Sequence, residues 1–136
     1  MPRRLTQTTK ETHQTLKNMS YESMVISWLM YDGWQVFTPV LDNGHQTDIL
    51  ISDGPNYFRI QIKTIDACGE NQTLKNRWHH SNVDYVICFA RNSSWGYIMP
   101  AFSEPSRPMN AHGHLRFEAN SRNDFLKAFH VVDDAQ

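Results

Sequence analysis

Thr47-Asp48-Ile49-Leu50-Ile51-Ser52-Asp53-Gly54-Pro55-Asn56-Tyr57-Phe58-Arg59-Ile60-Gln61-Ile62-Lys63-Thr64-Ile65 is the stretch on which the fold turns. Two runs rich in β-branched and aromatic residues, Thr47 to Ile51 and Tyr57 to Ile65, flank Asp53-Gly54-Pro55-Asn56, a segment with strong reversal chemistry. The pattern predicts two antiparallel strands side by side. In the second, strict alternation puts Phe58, Ile60 and Ile62 on one face and Arg59, Gln61 and Lys63 on the other. Asp48 stands in an otherwise apolar strand, where an ionised side chain needs a partner. With a register that puts both on the same side, it lies beside Gln61. Taken singly, Asp48 also reads as a strand-entry residue capping the preceding turn, and the Gln61 face as an ordinary solvated one.

Working towards the N-terminus, Trp34 to Val40 is β-rich and is followed by the turn residues Asp42-Asn43-Gly44, so a further strand and turn are expected. Before it, Tyr21 to Met30 carries apolar residues on a helical period and Gly33 is placed to end the helix in a left-handed conformation. Thr8-x-x-Glu11 is a capping-box signal, so the helix begins there or near Ser20. Glu22 is followed at i+3, i+4 and i+7 by Val25, Ile26 and Leu29, which places its carboxylate on the stripe that faces the sheet. Alternatively, Glu22 sits at the edge of that stripe and reaches solvent or an Arg.

Towards the C-terminus, 71 to 81 is polar and basic, a loop or a short helix. Val83 to Ala90 is apolar enough for a central strand, and Trp95 to Ala101 supplies another. Residues 103 to 120 read as a long loop, with a strand near His114 to Phe117. Asn123 to His130 closes the chain as a helix with Phe125, Leu126 and Phe129 on one face. A single domain over 1–136 is expected, with a core over about 10–101 and a C-terminal loop and helix over 102–136.

The chain has 136 residues and carries 13 Lys and Arg against 14 Asp and Glu, a formal charge of −1. It therefore lacks the overall basic signature of a nucleic-acid binder, and any such contact needs clustered basic residues or several protomers side by side. No apolar run approaches the roughly 18 residues of a membrane span, and no signal-peptide core is present, so a cytoplasmic protein with no membrane partner is expected. Cys68 and Cys88 match no metal or redox spacing and are expected to be reduced thiols.

Glu22, Asp48, Gln61 and Lys63 together suit phosphodiester hydrolysis, which needs a hard divalent cation held by oxygen ligands. Asp48 and the Gln61 carbonyl oxygen can supply such ligands. Lys63 can place a positive charge beside the attacking water or the phosphate, and Glu22 can bind metal or orient the water.

A helix Glu22, a strand Asp48 and the Gln61-Ile62-Lys63 run on the adjoining strand resemble the active-site pattern of the PD-(D/E)XK nuclease superfamily. Asp84-Tyr85-Val86-Ile87-Cys88-Phe89 and Trp95-Gly96-Tyr97-Ile98-Met99-Pro100 look like later core strands of that fold, so the likeness spans about 10–101. The departure is Gln61, where most of the superfamily has Asp or Glu. The Gln-x-Lys version, with Gly44-His45-Gln46-Thr47-Asp48, is similar to that of small group I intron homing endonucleases. The resemblance implies an α/β (α+β) mixed sheet, a restriction-endonuclease-like core with flanking helices. It implies catalytic Glu22, Asp48, Gln61 and Lys63, with Asp48, Gln61 and Glu22 holding Mg²⁺ or alternatively Mn²⁺. It also implies site-specific cleavage of double-stranded DNA by a homodimer or homotetramer. The competing reading is a catalytically decayed module on the same fold that binds nucleic acid or a protein.

Lys75, Arg77, His79 and His80 surround Trp78 in the densest basic and aromatic cluster. Phosphate contact suits them, and so does a solvated loop with Trp78 packed inward. His112 and His114, with His79 and His80, match no zinc-binding spacing and read as structural or surface histidines.

Overall fold

Thr9 opens the first helix, α1 (Lys10–Tyr31), in the computed structural model, which describes residues 1–41, 45–66 and 68–132. The Thr9 side chain accepts the N–H of Thr12 from an extended backbone, while the Thr8 hydroxyl takes a hydrogen bond from Arg4. The cap is therefore one residue later than the Thr8 box predicted, because only Thr9 has the geometry to reach into the first turn. At the other end, Gly33 has φ +104° and donates to Met30 O, and Trp34 donates to Leu29 O. These two bonds form a Schellman motif, which satisfies the last carbonyls and turns Trp34 back onto the core.

After α1 come β1 (Gln35–Phe37), β2 (Ile49–Ser52), β3 (Tyr57–Asp66), β4 (Thr73–Lys75), β5 (Tyr85–Arg91), β6 (Trp95–Pro100), β7 (Ser106–Pro108), β8 (Leu115–Glu118) and α2 (Arg122–Val131). Six strands form one sheet in the order β1-β2-β3-β5-β6-β8, and β4 pairs with β7 in a separate ribbon. Only β3 and β5 are parallel within the six-stranded sheet; the crossover between them carries β4. The expected hairpin is present: β2 and β3 are antiparallel with Ile49 opposite Ile60. Its turn is held by Gly54 at φ +115° and by the Asn56 N–H donating to Asp53 Oδ1 at 2.9 Å.

The expected first strand is shorter than Trp34 to Val40, because Trp34 is drawn into the helix-ending motif and pairing stops at Phe37. The turn expected at 42–44 lies outside the described residues. The 71–81 segment contributes β4 where a loop or a short helix was expected, and the long loop contributes β7 as well as β8.

Alternation in each strand builds two cores. Val25, Trp28 and Leu29 of α1 and Phe125, Leu126 and Phe129 of α2 pack with Ile49, Ile51, Ile60, Ile87, Phe89, Ile98 and Phe117 on one face of the sheet. Leu74, Trp78, Phe102 and Met109 cover the other face against Val86, Cys88, Ala90, Tyr97 and Met99. β5 is covered on both faces, which explains its unbroken apolar run, and each fully buried aliphatic there stabilises by about 1.5–3 kcal/mol. Asp84 fixes the start of β5: its N–H donates to Arg59 O and its carboxylate accepts the Arg59 N–H at 2.8 Å. No helix among the described residues is long and apolar enough to cross a membrane.

Candidate functional site

The β2 ladder stops at Ile49, so Asp48 lies one residue before the paired strand. Its N–H donates to Ile60 O at 3.0 Å, and its Oδ2 accepts the Ile62 N–H at 2.6 Å. The carboxylate thus continues the pairing that the backbone gives up, which fixes the side chain against β3. Charge-assisted bonds of this kind are about twice as strong as neutral ones.

Glu22 sits one turn before the fully buried Val25, partly buried at the edge of the α1 stripe. It lines a cleft of about 420 Å³ with Asp48, together with Met19, Ser23, Ile26, Thr38 and Pro39. Two residues 26 positions apart in sequence thereby open onto one space.

Gln61 and Lys63 occupy the opposite face of β3 from Ile60 and Ile62, as the alternation predicts. Gln61 is buried; its Nε2 donates to Gln46 Oε1 at 2.7 Å, and its own Oε1 has no hydrogen-bond partner among the described residues. A buried carbonyl oxygen without a donor is energetically costly, and a cation would satisfy it.

Lys63 is half-buried, with Nζ 5.5 Å from the Trp78 ring centroid and Cys88 as its Cα partner on β5. Burial pulls its pKa below the ordinary 10.5; the like charge of Arg77 adds to the effect and the Asp48 carboxylate opposes it. Burial pushes the Cys88 thiol up to about 12, so Cys88 remains a neutral, structural thiol.

Lys75, Arg77, His79 and His80 are exposed, whereas Trp78 is buried with its Nε1 donating to Phe102 O at 3.2 Å. Trp78 therefore anchors the segment from inside while the polar residues around it face outward. Arg77 lies near enough to Lys63 for their like charges to repel, so one member of this cluster faces the β3 lysine.

Neither Gln61 nor Lys63 is among the residues bordering the Glu22 and Asp48 cleft. They are tied to it through Asp48, which bonds the peptide after Gln61 and interacts electrostatically with Lys63. Among the described residues no three His, Cys, Asp or Glu are grouped to hold a metal ion. The oxygen donors here are two carboxylates and one amide, a set that suits a hard cation better than zinc.

Gln46 and Arg59 were not singled out by the sequence. Arg59 shares a face with Gln61 and lines, with His45, Thr47, Phe37 and Leu50, a second groove of about 300 Å³. Thr38 and Pro39 border both spaces.

No protein-family model matches the sequence, and no curated protein matches it. Solved structures do match. A bacterial homing endonuclease, I-Ssp6803I, is similar with a TM-score of 0.57 and 18% identity over 89% of this chain and 92% of that one. A Holliday junction resolvase from Archaeoglobus fulgidus, Hjc, is similar with a TM-score of 0.49 and 13% identity over 75% of this chain and 84% of the other. At 18% identity the first likeness shows the fold alone: the mixed α/β sheet with its flanking helices is shared with the homing endonuclease structure.

Proposed function

We propose that this protein is a divalent-cation-dependent DNA endonuclease, with Mg²⁺ or Mn²⁺ held by Asp48, Gln61 and Glu22. The observation that carries the reading is the Glu22 and Asp48 cleft, joined through β3 to a buried carbonyl oxygen on Gln61 that lacks a donor among the described residues. A bound cation would stabilise charge on the phosphate and lower the pKa of a water. Glu22 would orient the attacking water and take its proton as the water oxygen bonds to phosphorus and the P–O bond to the leaving group breaks, the leaving oxygen taking a proton from solvent. Lys63, held on the β3 face next to Asp48 and Arg77, adds positive charge where the pentacovalent phosphate gains negative charge.

Lys75, Arg77, His79 and His80 contact the DNA backbone from the exposed surface outside Trp78. With a formal charge of −1, one protomer offers few such contacts, and assembly as a homodimer or homotetramer supplies a footprint long enough for site-specific cleavage. The similarity to a bacterial homing endonuclease supports this reading over other chemistries on the same fold. The neutral Gln61 favours one second reading, a module that has lost catalysis and binds nucleic acid or a protein.

The test is cleavage of a genomic-complexity DNA pool with Mg²⁺ or Mn²⁺, comparing wild type with Asp48→Asn. Discrete fragments made only by wild type are expected. Absence of cleavage with DNA or protein binding intact supports the decayed module.

A further inference from the structure

Gln61 raises a problem that a carboxylate at the same position would not. The two oxygens of a carboxylate are equivalent, but an amide presents an oxygen at one end and an NH₂ at the other, and only the oxygen can ligate a cation. A ligand glutamine therefore works in one of its two senses, and something must select that sense.

We infer that Gln46 is the positioning residue that selects it. The inference rests on the reading of Asp48 and Gln61 as cation ligands. Gln46 Oε1 accepts one Gln61 Nε2 hydrogen at 2.7 Å, which engages the NH₂ end and leaves the buried Oε1 as the end without a partner among the described residues. Gln46 is built unusually to do this: its φ is +59°, a left-handed conformation that residues with a Cβ seldom adopt. Such a conformation persists where surrounding contacts hold it, and these cluster at functional sites.

The connection is also doubled. Gln46 binds the Gln61 side chain and Asp48, two residues further on, binds the Ile62 N–H at 2.6 Å. One short segment thus grips the Gln61 amide and the peptide that follows it, which fixes both the rotation of the side chain and its position beside Asp48. Partners that orient a metal ligand in this way typically contribute about 10-fold to 100-fold in metal affinity.

The test is Mn²⁺ titration by calorimetry on the full chain, with the Gln61 side-chain NH₂ followed by ¹⁵N NMR in the metal-free protein. Gln46→Met, close in size and without an acceptor oxygen, should weaken Mn²⁺ binding by about 10-fold or more and shift the Gln61 NH₂ resonances. Gln46→Glu keeps an acceptor and should bind Mn²⁺ at least as tightly as wild type. In a Gln61→Glu background, where there is no sense to select, Gln46→Met should change affinity by less than about 3-fold, because there is no longer an amide to orient.

Equal Mn²⁺ affinity in wild type and Gln46→Met, with binding still dependent on Asp48, overturns the positioning role alone. An equal loss in both backgrounds overturns it too, because Gln46 would then be only structural. Binding that is absent, or unaffected by Asp48→Asn, overturns the cation reading and the role of Gln46 with it.

Discussion

Asp48 Oδ2 accepts the backbone N–H of Ile62 at 2.6 Å, so a residue proposed as a cation ligand also closes the end of the β2–β3 ladder. The two roles predict different variants. Asp48→Ala leaves that N–H without its acceptor and should cost about 1–3 kcal/mol, whereas Asp48→Asn keeps an oxygen and should cost about 1 kcal/mol or less. Both should lose Mn²⁺ binding. Urea denaturation with unchanged slope measures the first effect and calorimetry the second. Equal stability of the two variants would show that the Ile62 bond contributes nothing to the fold.

Gln61→Glu introduces a negative charge in a position that is 8% exposed. Without metal the new carboxylate faces Gln46 Oε1, an acceptor against an acceptor, so the free protein should lose about 1–3 kcal/mol unless Gln46 rotates. With metal it should bind Mn²⁺ about 10-fold more tightly, since a carboxylate brings the charge that the amide lacks, and because the ligand must be deprotonated the affinity should rise with pH. The thermal shift on adding Mn²⁺ should therefore exceed that of wild type and grow as pH rises. An unchanged shift would remove Gln61 from the ligand set.

The hairpin was legible because its signals are local: β-branched runs, a four-residue turn and strict alternation all lie within Thr47 to Ile65. Central β5 was legible for a similar reason, being apolar on both faces. The β4–β7 ribbon was not, because its three-residue strands Thr73–Lys75 and Ser106–Pro108 draw their stability from a partner about thirty residues away. The cap of α1 was misplaced by one because Thr8 and Thr9 are chemically identical and tertiary geometry alone separates them. In the site, Glu22, Asp48 and the Gln61/Lys63 face could be read from periodicity. Gln46 could not: a polar residue before a strand has no pattern, and its meaning comes from a side chain 15 residues away.

His114 predicts how stability responds to mild acid. It is buried, with Nδ1 2.8 Å from Met109 O and the ring stacked on Phe102. Burial lowers its pKa below the ordinary 6.5, so the unfolded chain takes up a proton before the folded one does. Its contribution is therefore full above 6.5 and is lost as pH falls through the lower folded value. Denaturation midpoints should decline from pH 7 towards pH 5, and His114→Phe should flatten that decline even where its absolute stability is lower. A slope unchanged by the substitution would place the acid sensitivity in another group.

Lys63 predicts the other side of the pH profile. Burial beneath Trp78 holds its pKa below 10.5, so the ammonium loses its proton at a pH where exposed lysines keep theirs. For the fold, deprotonation is a relief: between the lowered value and 10.5 the unfolded chain binds the extra proton, and stability rises with pH. For the proposed catalysis it is a loss, because the charge proposed to meet the phosphate disappears. Cleavage should therefore fall on an alkaline limb below 10.5 while the protein becomes no less stable across that limb. Lys63→Ala should abolish cleavage and leave denaturation within about 1 kcal/mol of wild type, as expected where a partly buried charge is removed without opening the core. Lys63→Arg, which stays protonated, should keep some cleavage and lose the limb. Full activity in Lys63→Ala, or the same limb in Lys63→Arg, would take Lys63 out of the mechanism.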